Sequence, residues 1–294
     1  MHESLLAYRR KRFLWIAVAL ALLAVLAYAL QGDAEPHDGG TWLGYTLGGA
    51  GAALILWLTA LGVRKRSYRS TLGSLQGWVS AHVYLGLALL VIVTLHTGFQ
   101  FGWNVHTLAY VLMCVVIASG GVGVVLYLRY PRELSANRAS LTRDQLTEQL
   151  AEIDARSLRV ASRLPPEYRD LAQSARDRTR LGDGVLALLR GADRSQVLLP
   201  GAAGGGASIV MNPGQRAVID FLSDRLSRST DGEQTQALTE LMSLAAARRV
   251  LLEQLRRDAQ LKAWLQIWLY VHLPVTFGLL AALIAHVISV FLYW

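Results

Sequence analysis

Five long apolar stretches, nearly free of charge, punctuate the chain: Phe13 to Leu30, Trp42 to Val63, Val79 to Gly98, Thr107 to Leu128 and Trp264 to Leu292. A bilayer core takes about 20 apolar residues to cross at 1.5 Å per residue, so each stretch predicts a membrane-spanning helix. Between the fourth and fifth the pattern changes. Residues 131–263 hold 20 of the 29 Lys and Arg and 17 of the 21 Asp and Glu, a balance of 20 − 17 = +3. Leu146, Leu150, Ile153, Val160 and Leu164 recur at helical spacing, which predicts an amphipathic helix ended by Pro165 and Pro166. A second helix is expected over about Glu167 to Leu189. The glycine-rich run from Pro200 to Ser208 lacks the GK[ST] of a phosphate loop and reads as a flexible linker. From Gln234 no Gly or Pro occurs before Pro274. A long helix bearing Leu241, Leu244, Leu251 and Leu255 is therefore expected to enter the fifth span, with a bend where Pro274 frees the carbonyl of Tyr270.

The fold class that follows is all-α: a transmembrane helical bundle of five spans with a helical cytoplasmic insertion. Its parts are 1–130 with spans one to four, 131–263 as the insertion, and 264–294 as the span that completes a four-helix core.

Composition supports this and charge orients it. A chain 53% hydrophobic with eight Trp is unlike a water-soluble enzyme. Of the net +8, Arg9 to Arg12 and Arg64, Lys65, Arg66 and Arg69 sit at helix ends, whereas the loop from Gln31 to Thr41 carries Asp33, Glu35 and Asp38 and no Lys or Arg. This is positive-inside asymmetry, not a nucleic-acid patch. It places the N-terminus and the insertion in the cytoplasm and the C-terminus in the periplasm, across a bacterial inner membrane. The basic start and Ala27-Tyr28-Ala29 imitate a signal peptide, but the apolar run is longer than a usual signal core and reads as the first span. Cys114, the single cysteine, lies mid-helix as a small core hydrophobe.

Candidate chemistry lies in the third and fifth spans. His82 and His96 are fourteen residues apart, as are His272 and His286, and each pair begins four residues after a Trp, Trp78 or Trp268. Fourteen residues at about 100° fall only about 40° short of four turns, so both imidazoles of a pair share one helix face. With five crossings, the third and fifth spans run in the same direction, which brings His82 level with His272 and His96 level with His286. Ionisable residues within a span are costly and functional by default. Imidazole is an axial ligand of haem iron, and two facing helices can hold a six-coordinate haem between them. His82 and His272 would take the inner iron and His96 and His286 the outer one, 14 × 1.5 Å or about 21 Å apart along the axis. Gly48 and Gly62 share the fourteen-residue spacing and either leave room for two macrocycles or serve ordinary close helix packing, as do Gly44, Gly49 and Gly51, and Ser119, Gly120, Gly121 and Gly123 in span four. His106 reads as an interfacial anchor or a contact to a propionate or quinone; Arg64, Arg66, Arg69 and Arg129 could pair with propionates. His2 and His37 read as solvated.

The paired H-x13-H helices resemble the di-haem membrane cytochromes b, both the four-helix core of the bc-complex cytochrome b and the ferric reductase and NADPH oxidase membrane domain. His82-Val-Tyr-Leu-Gly86 is also similar to the ferric-reductase start of that helix. The resemblance covers spans two to five and implies two low-spin haems b and transmembrane electron transfer, with donor and acceptor left open; quinone is a further expectation from the architecture alone. The insertion belongs to neither pattern, and no flavin or NADPH fingerprint is present. The expectation is a non-catalytic electron-transfer subunit that works between a quinone pool or cytoplasmic partner and an extracytoplasmic cytochrome or iron-sulfur protein. The reading from another class is a redox-inert membrane scaffold or sensor whose cytoplasmic module docks a partner.

Overall fold

The computed structural model describes residues 8–31, 39–67, 73–138, 141–180, 184–201 and 206–292, with backbone alone over 130–138. His2, His37 and Arg69 lie outside the described residues. The chain divides into two compact units, one formed by 1–125 with 268–294 and the other by 126–267.

The first unit is a bundle of five apolar helices: α1 (Tyr8–Ala29), α2 (Trp42–Arg66), α3 (Leu75–His96), the first part of α4 (Val105–Arg138) and the last part of α9 (Gly232–Leu292). Each is long and apolar enough to cross a membrane. Short polar side chains set the starts. Thr41 Oγ1 accepts from the Gly44 amide at 3.1 Å and Ser74 Oγ from the Gly77 amide at 3.1 Å, each satisfying one of the amides that a helix start leaves without a partner. Arg64, Lys65 and Arg66 close α2, where positive charge complements the helix dipole.

All five helices contribute to one core, with Ala17, Leu58, Leu85, Leu89, Met113 and Leu279 buried in it. Glycines permit close approaches between these helices. A Cβ on Gly51 would stand 2.7 Å from Val93 Cγ2, and one on Gly123 would overlap the Trp268 indole. Close packing is the role of small residues at both positions. Large apolar side chains, among them Leu22, Leu23, Leu56, Phe277, Ile284 and Phe291, point outward around the bundle. An apolar surface of this extent is matched by lipid rather than water, so the chain is an integral membrane protein.

The second unit contains α5 (Arg143–Ala161), α6 (Pro166–Asp177), α7 (Val185–Arg190), a hairpin of β1 (Gln196–Leu199) and β2 (Ser208–Met211), α8 (Arg216–Arg228) and the first part of α9. Thr142 and Gln145 form a reciprocal capping box at the start of α5. Val160, Leu171, Val197, Leu222, Leu238 and Leu241 build its main core. The helix expected from Glu167 to Leu189 is broken in two. α6 stops at Asp177, and α7 starts only after Gly184, whose φ of 92° suits glycine and few other residues. The hairpin is a further difference. The glycine-rich run joins two antiparallel strands in which Gln196 pairs with Met211 and Leu199 with Ser208; residues 202–205 of that run lie outside the described residues. α9 is continuous through Pro274.

Charge is buried in this unit along the inward face of α9. Arg248 Nε donates to Asp154 at 2.6 Å and Arg256 Nη2 lies 2.9 Å from Asp193. Burial alone would raise the Asp193 carboxyl, but the Gly214 and Ser195 hydrogen bonds and the Arg256 charge outweigh it and hold the group below its ordinary range.

Candidate haem-ligand histidines

Each of the four histidines on α3 and α9 is engaged through the same ring atom. His82 Nδ1 is 3.1 Å from the Leu58 carbonyl and His96 Nδ1 is 2.8 Å from the Gly44 carbonyl, both on α2. A carbonyl can only accept, so both rings carry their proton on Nδ1. The two acceptors repeat the spacing of the donors, since 96 − 82 = 58 − 44 = 14. Antiparallel α2 thus matches α3 in register at both levels.

On α9, His272 Nδ1 is 2.7 Å from Ser119 Oγ of α4. Ser119 spends its own hydroxyl proton on the Val116 carbonyl at 2.9 Å and therefore accepts from His272. Trp268 stacks on His272 with centroids 5.3 Å apart and donates Nε1–H to the Ser119 carbonyl at 2.7 Å, which fixes the ring from a second side. At the other level, His286 Nδ1 meets His106 Nδ1 of α4. Among the described residues no Nε2 of the four rings is hydrogen-bonded. In His82, His96 and His272 that atom keeps a lone pair, the state a metal ligand requires, while the Nδ1 bond fixes ring orientation.

The structure groups the histidines by level. His96 and His286 have ring centroids 6.0 Å apart with planes at 90°. Two imidazoles this close form a donor pair that could be offered to one haem iron. His82 and His272, each fourteen residues before a member of this pair, would form the other pair. These pairings require α3 and α9 to run in the same direction. α1 and α2 are close backbone neighbours of α3, and α9 joins α3 in the apolar core and through the His96–His286 ring contact. The donor set, two imidazoles per level with Nδ1 engaged, suits bis-His haem. Among the described residues no cluster of three or more His, Cys, Asp or Glu is arranged to hold a metal ion by itself.

The two glycines differ. A Cβ on Gly48 would stand 2.7 Å from His96 Cε1 and 3.0 Å from its Nδ1, so bare backbone at Gly48 is what admits the ring. At Gly62 nothing lies within 4 Å of that position. Gly48→Ala is therefore expected to displace His96 and perturb only its own level, with Gly62→Ala silent; optical spectra of the two variants check this. Arg64 donates to the Ser67 carbonyl at 3.1 Å and the Gly73 carbonyl at 2.8 Å, a loop-closing role. His106 is the residue whose role sequence reasoning missed. It holds another histidine, and nothing in its spacing from His286 announces that.

No family model, curated protein or solved structure matches the chain. The fold defines an all-α integral membrane protein, with His96, His106 and His286 brought together within its bundle.

Proposed function

We propose that the chain is a di-haem b-type membrane cytochrome, an electron-transfer subunit that carries electrons across the bilayer. His82 and His272 would hold the haem nearer the cytoplasm and His96 and His286 the one nearer the opposite face, with α9 entering the bundle from the cytoplasmic side of a bacterial inner membrane. The observation that carries the reading is the engagement of all four rings at Nδ1, in register, with His96 and His286 at 6.0 Å. Haem iron held by these histidines would supply one-electron chemistry. The protein's part is to fix ring orientation through Leu58, Gly44, Ser119 and His106, and to keep water from the bundle with an apolar core. A quinone pool or a cytoplasmic partner on one side and an extracytoplasmic cytochrome or iron-sulfur protein on the other are the redox neighbours that fit such a subunit.

A redox-inert scaffold or sensor is the second reading, favoured by one observation: every one of these histidines already bonds a neighbouring helix within the protein itself, a structural use in its own right. A dithionite-reduced minus oxidised spectrum with pyridine haemochrome quantitation separates the two. Two low-spin b haems per chain support the cytochrome. None, in folded protein supplied with haemin, leaves the scaffold.

A further inference from the structure

We infer that His106 is a positioning residue for His286, one that sets the proton position and donor strength of that ligand and so sets its level apart from the other; this rests on the di-haem reading. Three of the four ligand histidines have their tautomer dictated by a partner with no proton to offer: the Leu58 carbonyl, the Gly44 carbonyl, and Ser119 Oγ, whose proton is committed to Val116. His286 is the exception. Its Nδ1 faces the Nδ1 of a second imidazole, and such a contact needs one proton shared between two rings, either of which can own it.

Were Nε2 of His286 to ligate iron, that choice would be resolved. Nε2 then gives its lone pair to the metal, the proton stays on Nδ1 of His286, and His106 accepts through Nδ1 as the tautomer protonated at Nε2. An imidazole nitrogen is a more basic acceptor than a carbonyl or hydroxyl oxygen. It draws the Nδ1 proton further and makes the His286 ring a stronger donor, which favours ferric over ferrous iron. His106 is well held for this role. It sits in the first turn of α4, where Asn104 Oδ1 accepts from the Thr107 amide at 2.9 Å and Thr107 Oγ1 accepts from the Gly102 amide at 3.1 Å. Its ring lies edge-on to His286, with centroids 4.5 Å apart at 86°. His286 thus has both His96 and His106 as ring neighbours.

The test is potentiometric titration of the purified full-length chain, read optically, for wild type, His106→Leu and His106→Asn, with haem retention measured by transfer to excess apomyoglobin. Leucine removes the acceptor; asparagine returns an acceptor oxygen near the position of Nδ1. The expected result for His106→Leu is an upward shift in the potential of one haem, an unchanged potential for the other, and roughly 10–100-fold weaker retention of the shifted haem. His106→Asn restores both readouts most of the way. If His106→Leu leaves both potentials and both retentions at their wild-type values, the assignment is overturned. Asparagine behaving like leucine overturns it too, because bulk rather than an acceptor would then be what matters. Wild type that takes up no haem from haemin defeats the di-haem reading itself, an outcome distinct from a wild type with two haems that ignores the substitution.

Discussion

On the di-haem reading, His96→Ala and His286→Ala are each expected to remove the haem of their own level and leave the other, so that the pyridine haemochrome yield would fall from two per chain to one. His82→Ala and His272→Ala do the same for the opposite level, and the surviving haem keeps its low-spin spectrum. The grouping rests on His96 and His286 at 6.0 Å, and on the same fourteen-residue spacing carrying His82 and His272 to the next level. A haem left with one axial imidazole loses the six-coordinate low-spin state, and its retention falls with it. The levels stay independent because each ring is oriented by its own partner: Gly44 and His106 at one, Leu58 and Ser119 at the other. Loss of both haems from each single substitution, with the bundle still folded by circular dichroism, would contradict the pairing. A scaffold gives a different result again, with every variant losing some helix–helix stability and none losing an absorption band.

The spans and the four histidines could be read in advance because both are periodic signals in side-chain identity. A charge-free run long enough for a bilayer is visible in composition, and the repeat of His82 and His96 in His272 and His286 is visible in spacing. What orients those rings is another matter. The acceptors on α2 are the backbone carbonyls of Gly44 and Leu58, and a carbonyl is carried by every residue, so nothing in the letters marks these two. Their fourteen-residue offset becomes meaningful only once α2 is known to lie antiparallel beside α3. Ser119 looked like one more small residue in span four, and only the closeness of α4 to α9, granted by Gly123 beneath Trp268, turns it into an acceptor for His272. In the second unit the hairpin was hidden by its shortness. Gln196–Leu199 and Ser208–Met211 are each four residues long, too short for alternation to register, although apolar runs on both sides of a Pro-Gly tract are a hairpin signal. The end of α6 carries no mark of its own in the letters, although Gly182 and Gly184 both precede α7 in the sequence.

Asp154→Ala is expected to be the most damaging single change in the second unit, costing it about 3–5 kcal/mol, because it leaves a buried guanidinium without its counter-charge. The Arg248 side chain is 6% exposed and Asp154 14%, with Nε to Oδ1 at 2.6 Å. Arg248 Nη2 bonds Thr179 Oγ1 at 3.0 Å, while Nη1 is buried without a protein partner. It lines a cavity of about 30 Å³ shared with Gln215, whose amide nitrogen and oxygen also lack protein partners. That volume suits one or two ordered waters, which complete the hydrogen bonding around a charge the core could not otherwise hold. Alanine removes the anion and keeps the cation, whereas Asp154→Asn keeps an acceptor and should cost less. Replacing both partners, Asp154→Leu with Arg248→Met, should recover much of the loss, since it is the orphaned charge and not the missing bridge that carries the penalty. Hydrogen exchange of the full-length protein reads this locally. At 1.36 kcal/mol per tenfold, the slowest amides of α5 and of the α9 segment around Arg248 should exchange roughly 10²–10⁴ times faster in Asp154→Ala. Acceleration below tenfold would mean that the pair behaves as a hydrated surface bridge, worth no more than about 1 kcal/mol. An intermediate Asp154→Asn beside a near-normal double replacement would instead locate the strength of this fold in the apolar contacts of Leu171, Leu222 and Leu241 around the cavity, with the ion pair there to specify how they meet.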